Sequence, residues 1–92
     1  MNIDNNKDKI LINLKKTQSL VNKITQMIGE QEYCIDIMQQ NLAAIGLLKS
    51  AHQMLMENHL NSCFKNAMAS SNENIKQQMI DEILKVSKLA NK

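Results

Sequence analysis

Apolar residues recur every three or four positions along most of the chain, the spacing that places side chains on one face of an α-helix. Near the start they form a ladder of alternating four- and three-residue steps, with Thr17 as its one polar member. Its apolar members are Ile10, Leu14, Val21, Ile24 and Ile28. This spacing predicts a first helix, over about residues 5–28, that packs lengthwise against another helix.

The second predicted helix is longer than the first. It begins near Tyr33 and meets no stop signal before Ala69, after which the serines and asparagine of residues 70–72 favour a turn and a helix cap. Its apolar seam consists of Met38, Leu42, Ile45, Leu48 and Leu55. The sequence therefore predicts one domain, residues 1–92, with helices over about residues 5–28, 33–69 and 73–89.

The composition excludes several classes of protein. The chain has no proline, two glycines and two aromatic residues, whereas a β-sandwich or barrel needs turn residues about every 8–12 positions. We therefore predict an all-α, three-helix protomer. No apolar run reaches the ~20 residues of a membrane span, and no secretory signal is visible, so we expect a cytoplasmic protein with reduced cysteines. No catalytic arrangement of residues is recognisable, and we expect no enzymatic activity.

The length of the second helix requires partner chains. At 1.5 Å per residue, about 36 helical residues extend ~54 Å, whereas a compact domain of this size has a radius of gyration of only ~12 Å. One shorter helix cannot cover both sides of such a rod. The simplest solution is an antiparallel dimer in which the first two helices of each chain form a four-helix bundle.

Three residues carry candidate metal chemistry. His59 and Cys63 lie four residues apart on one helix, a common chelating spacing, although a packed thiol beside a solvated histidine would give the same pattern. Cys34 lies 29 positions before Cys63, or roughly 43 Å along the helix. In an antiparallel dimer, Cys34 of one chain meets His59 and Cys63 of the other. Two thiolates and one imidazole favour Cu(I), whereas Zn(II) takes a fourth ligand.

The residues around these ligands resemble the copper-sensing repressor (CsoR) family. The resemblance rests on Tyr33-Cys34-Ile35-Asp36-Ile37 and on Glu57-Asn58-His59-Leu60-Asn61-Ser62-Cys63, and it extends over nearly the whole chain. The ordered set Cys, His, Cys is typical of the Cu(I)-sensing branch. Sensors of nickel or cobalt have histidine at the third position, and persulfide sensors have cysteine at the second.

The resemblance implies an antiparallel dimer that usually pairs into a tetramer, a dimer of dimers. It also implies Cu(I) bound across the dimer interface by Cys34 of one chain and by His59 and Cys63 of the other. Tyr33 matches a position whose side chain lies next to the metal ligands and does not itself bind the metal. Gln78 aligns with a glutamate that belongs to the same hydrogen-bonded network in family sensors.

The family's arginine-rich motif in the first helix is altered here. Neutral Asn13 and Asn22 replace basic residues, and both glycines of the motif are missing. The remaining candidates for phosphate contacts are Lys15, Lys16, Lys23 and Lys49. Lysine keeps the charge of arginine but lacks its two-pronged hydrogen bonding, so we expect weak or absent DNA binding.

Two functions fit this pattern. The altered motif favours a Cu(I) carrier, chaperone or buffer that exchanges copper with trafficking proteins such as an exporter. The alternative is a Cu(I)-responsive transcriptional repressor that releases DNA on binding copper. A further stripe of His52, Met56 and His59 predicts either an auxiliary path for a soft metal or, in the plainer interpretation, a seam histidine beside a core methionine.

Overall fold

The computed structural model describes residues 6–90, and all of its regular structure is helical. The elements, in order, are α1 (Lys7–Gly29), α2 (Cys34–His59), a π-helical turn (Leu60–Phe64), α3 (Lys65–Ala69) and α4 (Glu73–Ala90). The predicted all-α, three-helix protomer is confirmed, because α2, the π turn and α3 together form the second helix. Residue 5, the predicted start of the first helix, lies outside the described residues.

The π turn is the main departure from the predicted second helix. The backbone keeps right-handed helical angles through both joints, at Leu60 (φ −65°, ψ −37°) and Lys65 (φ −59°, ψ −45°), so the path is continuous. Within the turn the Ser62 hydroxyl donates to the Asn58 carbonyl oxygen at 2.5 Å. A serine that bonds back to a carbonyl four residues earlier competes with regular α-helical pairing and bends helices. Thr17 and Thr25 make the same kind of bond within the regular helix α1, so this bond accompanies the π turn and does not by itself cause it.

The connection between α1 and α2 is a tight C-terminal cap. The amide of Glu32 donates to the Met27 carbonyl at 3.0 Å, and that of Gln31 donates to Ile28 at 3.1 Å. This pair of bonds defines a Schellman motif. The left-handed residue is Gln31 (φ 56°), not Gly29, which is the last residue of α1. The short cap turns the chain back so that α2 packs along α1.

The contact between α1 and α2 uses residues seven positions apart on each helix. Ala44, Ala51 and Asn58 are buried on α2, and Ile10 and Thr17 are buried on α1. The Thr17 hydroxyl is satisfied by donating to the Asn13 carbonyl at 2.8 Å. The two alanines allow the helices to approach closely, and these buried residues form one narrow stripe along each helix.

The rest of the predicted seams remains exposed in a single chain. Leu14, Val21 and Ile28, which alternate with the packed rungs of α1, expose 37%, 49% and 61% of their surface. On α2 the exposed members are Met38, Leu42, Ile45 and Leu48. The chain measures 58 × 28 × 14 Å with a radius of gyration of 17.6 Å, against ~12 Å for a compact domain of this length. A single chain thus leaves a long apolar surface uncovered, which favours the predicted dimer.

The C-terminal helix, α4, follows α3 after a short turn over residues 70–72. The Asn72 side chain accepts hydrogen bonds from the amides of Asn74 and Ile75, at 3.0 and 3.2 Å, which caps the start of α4. No residue of α4 is buried in the single chain. Within residues 6–90, none of the helices is both long and apolar enough to cross a membrane.

We predict that the Leu42→Glu substitution weakens self-association at least about a hundredfold. Leu42 is 66% exposed in one chain, so a glutamate costs little there, whereas burying its charge in an interface costs several kcal/mol, and each ~1.4 kcal/mol is a tenfold loss of affinity. Sedimentation equilibrium at micromolar concentration measures the effect. Ala43→Glu, which adds the same charge on a neighbouring exposed face, is the control. A wild-type chain that is monomeric and fully helical would contradict the prediction.

Candidate metal centre

Cys34 begins α2 and is exposed. It follows Tyr33, which is extended (φ −60°, ψ 131°) and whose carbonyl accepts the amides of Asp36 and Ile37 at 3.0 and 3.2 Å. The Tyr33 side chain is 69% exposed and lies beside the thiol along the chain. The structure therefore presents Cys34 at an open helix start, where a second chain has access to it.

His59 and Cys63 flank the start of the π turn at the other end of α2. His59 is the last residue of α2, Cys63 lies within the turn, and both side chains are half-buried. The Ser62 hydroxyl, which donates to the Asn58 carbonyl, also lies 3.9 Å from the Cys63 sulfur. Asn58, beside His59, is 4% exposed. This pair of candidate ligands thus lies on a hydrogen-bonded segment in which Asn58 is buried and the other residues are half-buried or exposed.

One chain does not bring the three candidate ligands together. Cys34 and His59 are the two ends of the 26-residue α2, a span of about 38 Å at 1.5 Å per residue. Within residues 6–90 of one chain, no group of three or more His, Cys, Asp or Glu side chains is arranged to hold a metal ion. Neither cysteine forms a disulfide. Any site that uses all three ligands must therefore combine two chains.

His59 also lines a cavity of about 270 Å³ between α2 and α4. The cavity is mainly apolar, with two imidazoles, a thioether and one carboxylate on its wall. Its lining residues are His52, Leu55, Met56, His59, Glu82, Ile83 and Val86. The carboxylate of Glu82 is the one contribution of α4 that can hydrogen-bond or carry charge there.

Gln78 supports this carboxylate. Its side-chain amide donates to the Glu82 carboxylate at 3.2 Å, one helical turn further along α4, and Gln78 itself is exposed. Gln78 is therefore connected to the His59 cavity through Glu82. Sequence reasoning assigned no role to Glu82, Asn58 or Ser62, although Asn58 and Ser62 lie in the stretch that carries the family resemblance. The seven-residue spacing of Ala44, Ala51 and Asn58 is the signal that could have identified the buried asparagine.

The candidate phosphate contacts lie on α1 and α2. Lys15, Lys16, Lys23 and Lys49 are all exposed. Among residues 6–90, the one ion pair joins Lys76 to Glu73 at 3.3 Å on α4, so these four lysines have no acidic partner there. Residues 7–29 contain five lysines and one aspartate, a formal charge of +4, although the whole chain carries only +2. Positive charge is therefore concentrated on α1.

Comparisons with known proteins cover nearly the whole chain. The family profile described as "Metal-sensitive transcriptional repressor" matches residues 6–88. The copper-sensing transcriptional repressor CsoR of Bacillus subtilis (strain 168) is 33% identical over 82 residues, which are 89% of this chain and 78% of that protein. No solved structure matches the chain.

Two mycobacterial proteins show similar identity over shorter lengths. The copper-sensing transcriptional repressor RicR of Mycobacterium tuberculosis (strain ATCC 25618 / H37Rv) is 35% identical over 63 residues, 68% of this chain and 66% of that protein. CsoR of Mycobacterium ulcerans (strain Agy99) is 31% identical over 71 residues, 77% of this chain and 58% of that protein. The profile describes transcriptional repressors and not enzymes. Because the profile matches residues 6–88 and a 33% identical relative aligns with 89% of this chain, the chain belongs to the metal-sensitive transcriptional repressor (CsoR) family.

Proposed function

We propose that the protein is a Cu(I)-responsive transcriptional repressor that binds operator DNA as a homo-oligomer and releases it on binding copper. The observation that carries this proposal is the extent of the family match, because residues 6–88 include the basic α1 as well as the thiols. The relatives described above bear the name of copper-sensing repressors. The comparisons support this function better than the copper carrier, and they give no support to weak DNA binding or to an exporter as a partner.

The proposed metal site lies across two chains. Cys34 of one chain and His59 and Cys63 of the other supply two thiolates and one imidazole, a soft donor set that suits Cu(I). The exposed Cys34 and the half-buried His59 and Cys63 at opposite ends of α2 support this arrangement, because an antiparallel pair places the two ends side by side. The thiols must be reduced and lose their protons to bind, which fits a cytoplasmic protein.

The proposed DNA-binding surface is the exposed basic side of α1 with Lys49 of α2. Lys15, Lys16 and Lys23 act as point charges toward phosphates, a role that does not need the two-pronged geometry of arginine. Asn22 is exposed beside Lys23, and an asparagine amide can pair with the edge of adenine in the major groove. The family match therefore favours a retained DNA site, and the altered motif then implies a changed DNA sequence.

Release of DNA requires an element that responds to the metal. A histidine that binds a metal through one ring nitrogen usually donates through the other to a carboxylate or carbonyl. Glu82 lines the cavity beside His59 and is held by Gln78. We propose that Glu82 couples the metal site to α4. Glu82 supplies the negative charge that Gln78 lacks, from a position one helical turn further along α4.

We predict one Cu(I) per protomer, bound by ligands from two chains. Cys34→Ala and Cys63→Ala should each abolish tight binding, and His59→Ala should weaken it less, because two thiolates remain. A heterodimer of the two cysteine variants, purified with two different affinity tags, should bind one Cu(I), because one site keeps all its ligands and the other loses both thiols. Titration against a Cu(I) chelator measures this. A heterodimer that binds no copper would contradict the shared site.

We predict that the apo protein binds one operator sequence and that Cu(I) weakens this binding 5- to 150-fold or more, the range given by a coupling free energy of about 1–3 kcal/mol. A random duplex pool, enriched by repeated binding to the protein, supplies the operator. Lys16→Gln should lower the slope of log affinity against log salt by ~0.9 for each lost phosphate contact. Lys88→Gln, an exposed lysine of α4, is the control. An enriched pool without a common sequence would favour the copper carrier.

We predict that Glu82→Gln reduces the effect of copper on DNA affinity at least about fivefold, the lower end of typical coupling factors, while leaving apo DNA binding unchanged. The amide keeps the size of the side chain but loses the negative charge that, in this proposal, accepts a hydrogen bond from the metal-bound His59 ring. Fluorescence anisotropy with and without Cu(I) gives the ratio. Asp81→Asn is the matched control, because Asp81 accepts from Gln77 on α4 and does not line the His59 cavity. Equal ratios for the two variants would refute the role of Glu82.

A further inference from the structure

The cavity beside His59 contains soft metal ligands outside the proposed three-ligand site. His52, Met56 and His59 all lie on α2 and all line this one cavity. Their spacings of four and three residues are those of side chains that meet on one helical face. Cys63 comes four residues after His59. The result is a row of imidazole, thioether, imidazole and thiol along one side of the second helix.

Neighbouring members of this row can share a metal ion, but the two histidines cannot do so directly. Their seven-residue separation corresponds to a rise of about 10.5 Å along the helix axis. The rise between His52 and Met56 is only ~6 Å, and that between Met56 and His59 is ~4.5 Å. Met56 therefore bridges the gap. Thioether and imidazole are both ligands of Cu(I), and thioether selects it against hard cations.

The remaining wall of the cavity suits a soft cation. Leu55, Ile83 and Val86 are apolar, and Glu82 is the only lining residue that is acidic, while no lining residue is a lysine. A charge in an apolar site needs a compensating charge, and the Glu82 carboxylate can neutralise a monovalent cation. His52 is exposed, whereas Met56 and His59 are half-buried. The row thus runs from solvent toward the proposed metal site.

We propose that His52, Met56 and His59 form an entry site that binds Cu(I) weakly and passes it to Cys63 and to Cys34 of the second chain. The transfer is ligand exchange at constant oxidation state. The His52 and Met56 bonds to copper break as bonds to the two sulfurs form, His59 is retained, and each thiol releases its proton to solvent. This inference rests on the proposed copper function and adds a loading route to it.

The first test isolates the entry site in the full-length Cys34→Ser/Cys63→Ser chain. The protein carries ¹³C-methyl methionine, with the Met54 and Met56 signals assigned by Met→Leu variants. Adding one equivalent of Cu(I) as its acetonitrile complex should shift the Met56 methyl signal and not that of Met54, which does not line the cavity. His52→Gln should reduce the shift. An unmoved Met56 signal would overturn the proposal.

The second test measures loading in the chain with both thiols. Stopped-flow transfer of Cu(I) from its bicinchoninate complex should be at least about tenfold slower in Met56→Leu, equivalent to a barrier increase of ~1.4 kcal/mol, with the final occupancy unchanged. Met54→Leu should load at the wild-type rate. Equal rates in the two variants would overturn the entry site. If the thiol site binds no copper at all, the proposed function fails, and the Met56 signal in the thiol-free chain still decides the present inference.

Discussion

The thinness of the single chain is the constraint on which the remaining features depend. A helix path from Cys34 to Ala69 has only α1 along one side, and the chain is 14 Å deep in its shortest dimension. Large apolar residues such as Leu42 and Ile28 are consequently exposed on the uncovered face. An exposed apolar surface of this extent marks an interaction site in a stable protein. In the proposed dimer, a second chain that covers this surface in antiparallel orientation would also bring Cys34 to His59 and Cys63, so that assembly and metal binding would use the same interface.

The π turn determines how the end of the second helix presents its chemistry. In a π turn the backbone hydrogen bonds join residues five apart, so the turn contains one residue more than a turn of α-helix. One residue corresponds to a rotation of about 100° about the helix axis, and the elements after the turn are offset by that angle. The elements downstream of this turn are α3, the capped turn at Asn72 and α4. The direction of α4 against α2, and with it the cavity between His59 and Glu82, therefore depends on the π turn.

The sequence predicted the regular parts of this structure and missed the irregular ones. The ladder from Ile10 to Ile28 and the cluster at residues 70–72 gave the helices to within a few residues, because period and capping are local properties. The π turn was missed because hydrophobic period and capping signals do not report a local widening inside a continuous helix. Glu82 was missed because the sequence does not give the position of α4 relative to α2, which brings Glu82 and His59 to the same cavity. The three metal ligands and the dimer remain predictions from spacing and family resemblance.

The distribution of charge connects assembly to DNA binding. Each α1 carries a formal +4, and the rest of the chain is net negative. A single α1 offers few phosphate contacts, whereas a dimer presents two basic helices in a fixed relation, and phosphate contacts multiply affinity as counterions are released. A ligand that binds only the assembled state stabilises that state, so Cu(I) in the proposed site between two chains would strengthen the dimer. In the proposed repressor, release of DNA would then come from a change of shape in an intact oligomer and not from its dissociation. In the proposed repressor, Glu82 of α4, which lines the same cavity as His59, is the group through which such a change would begin.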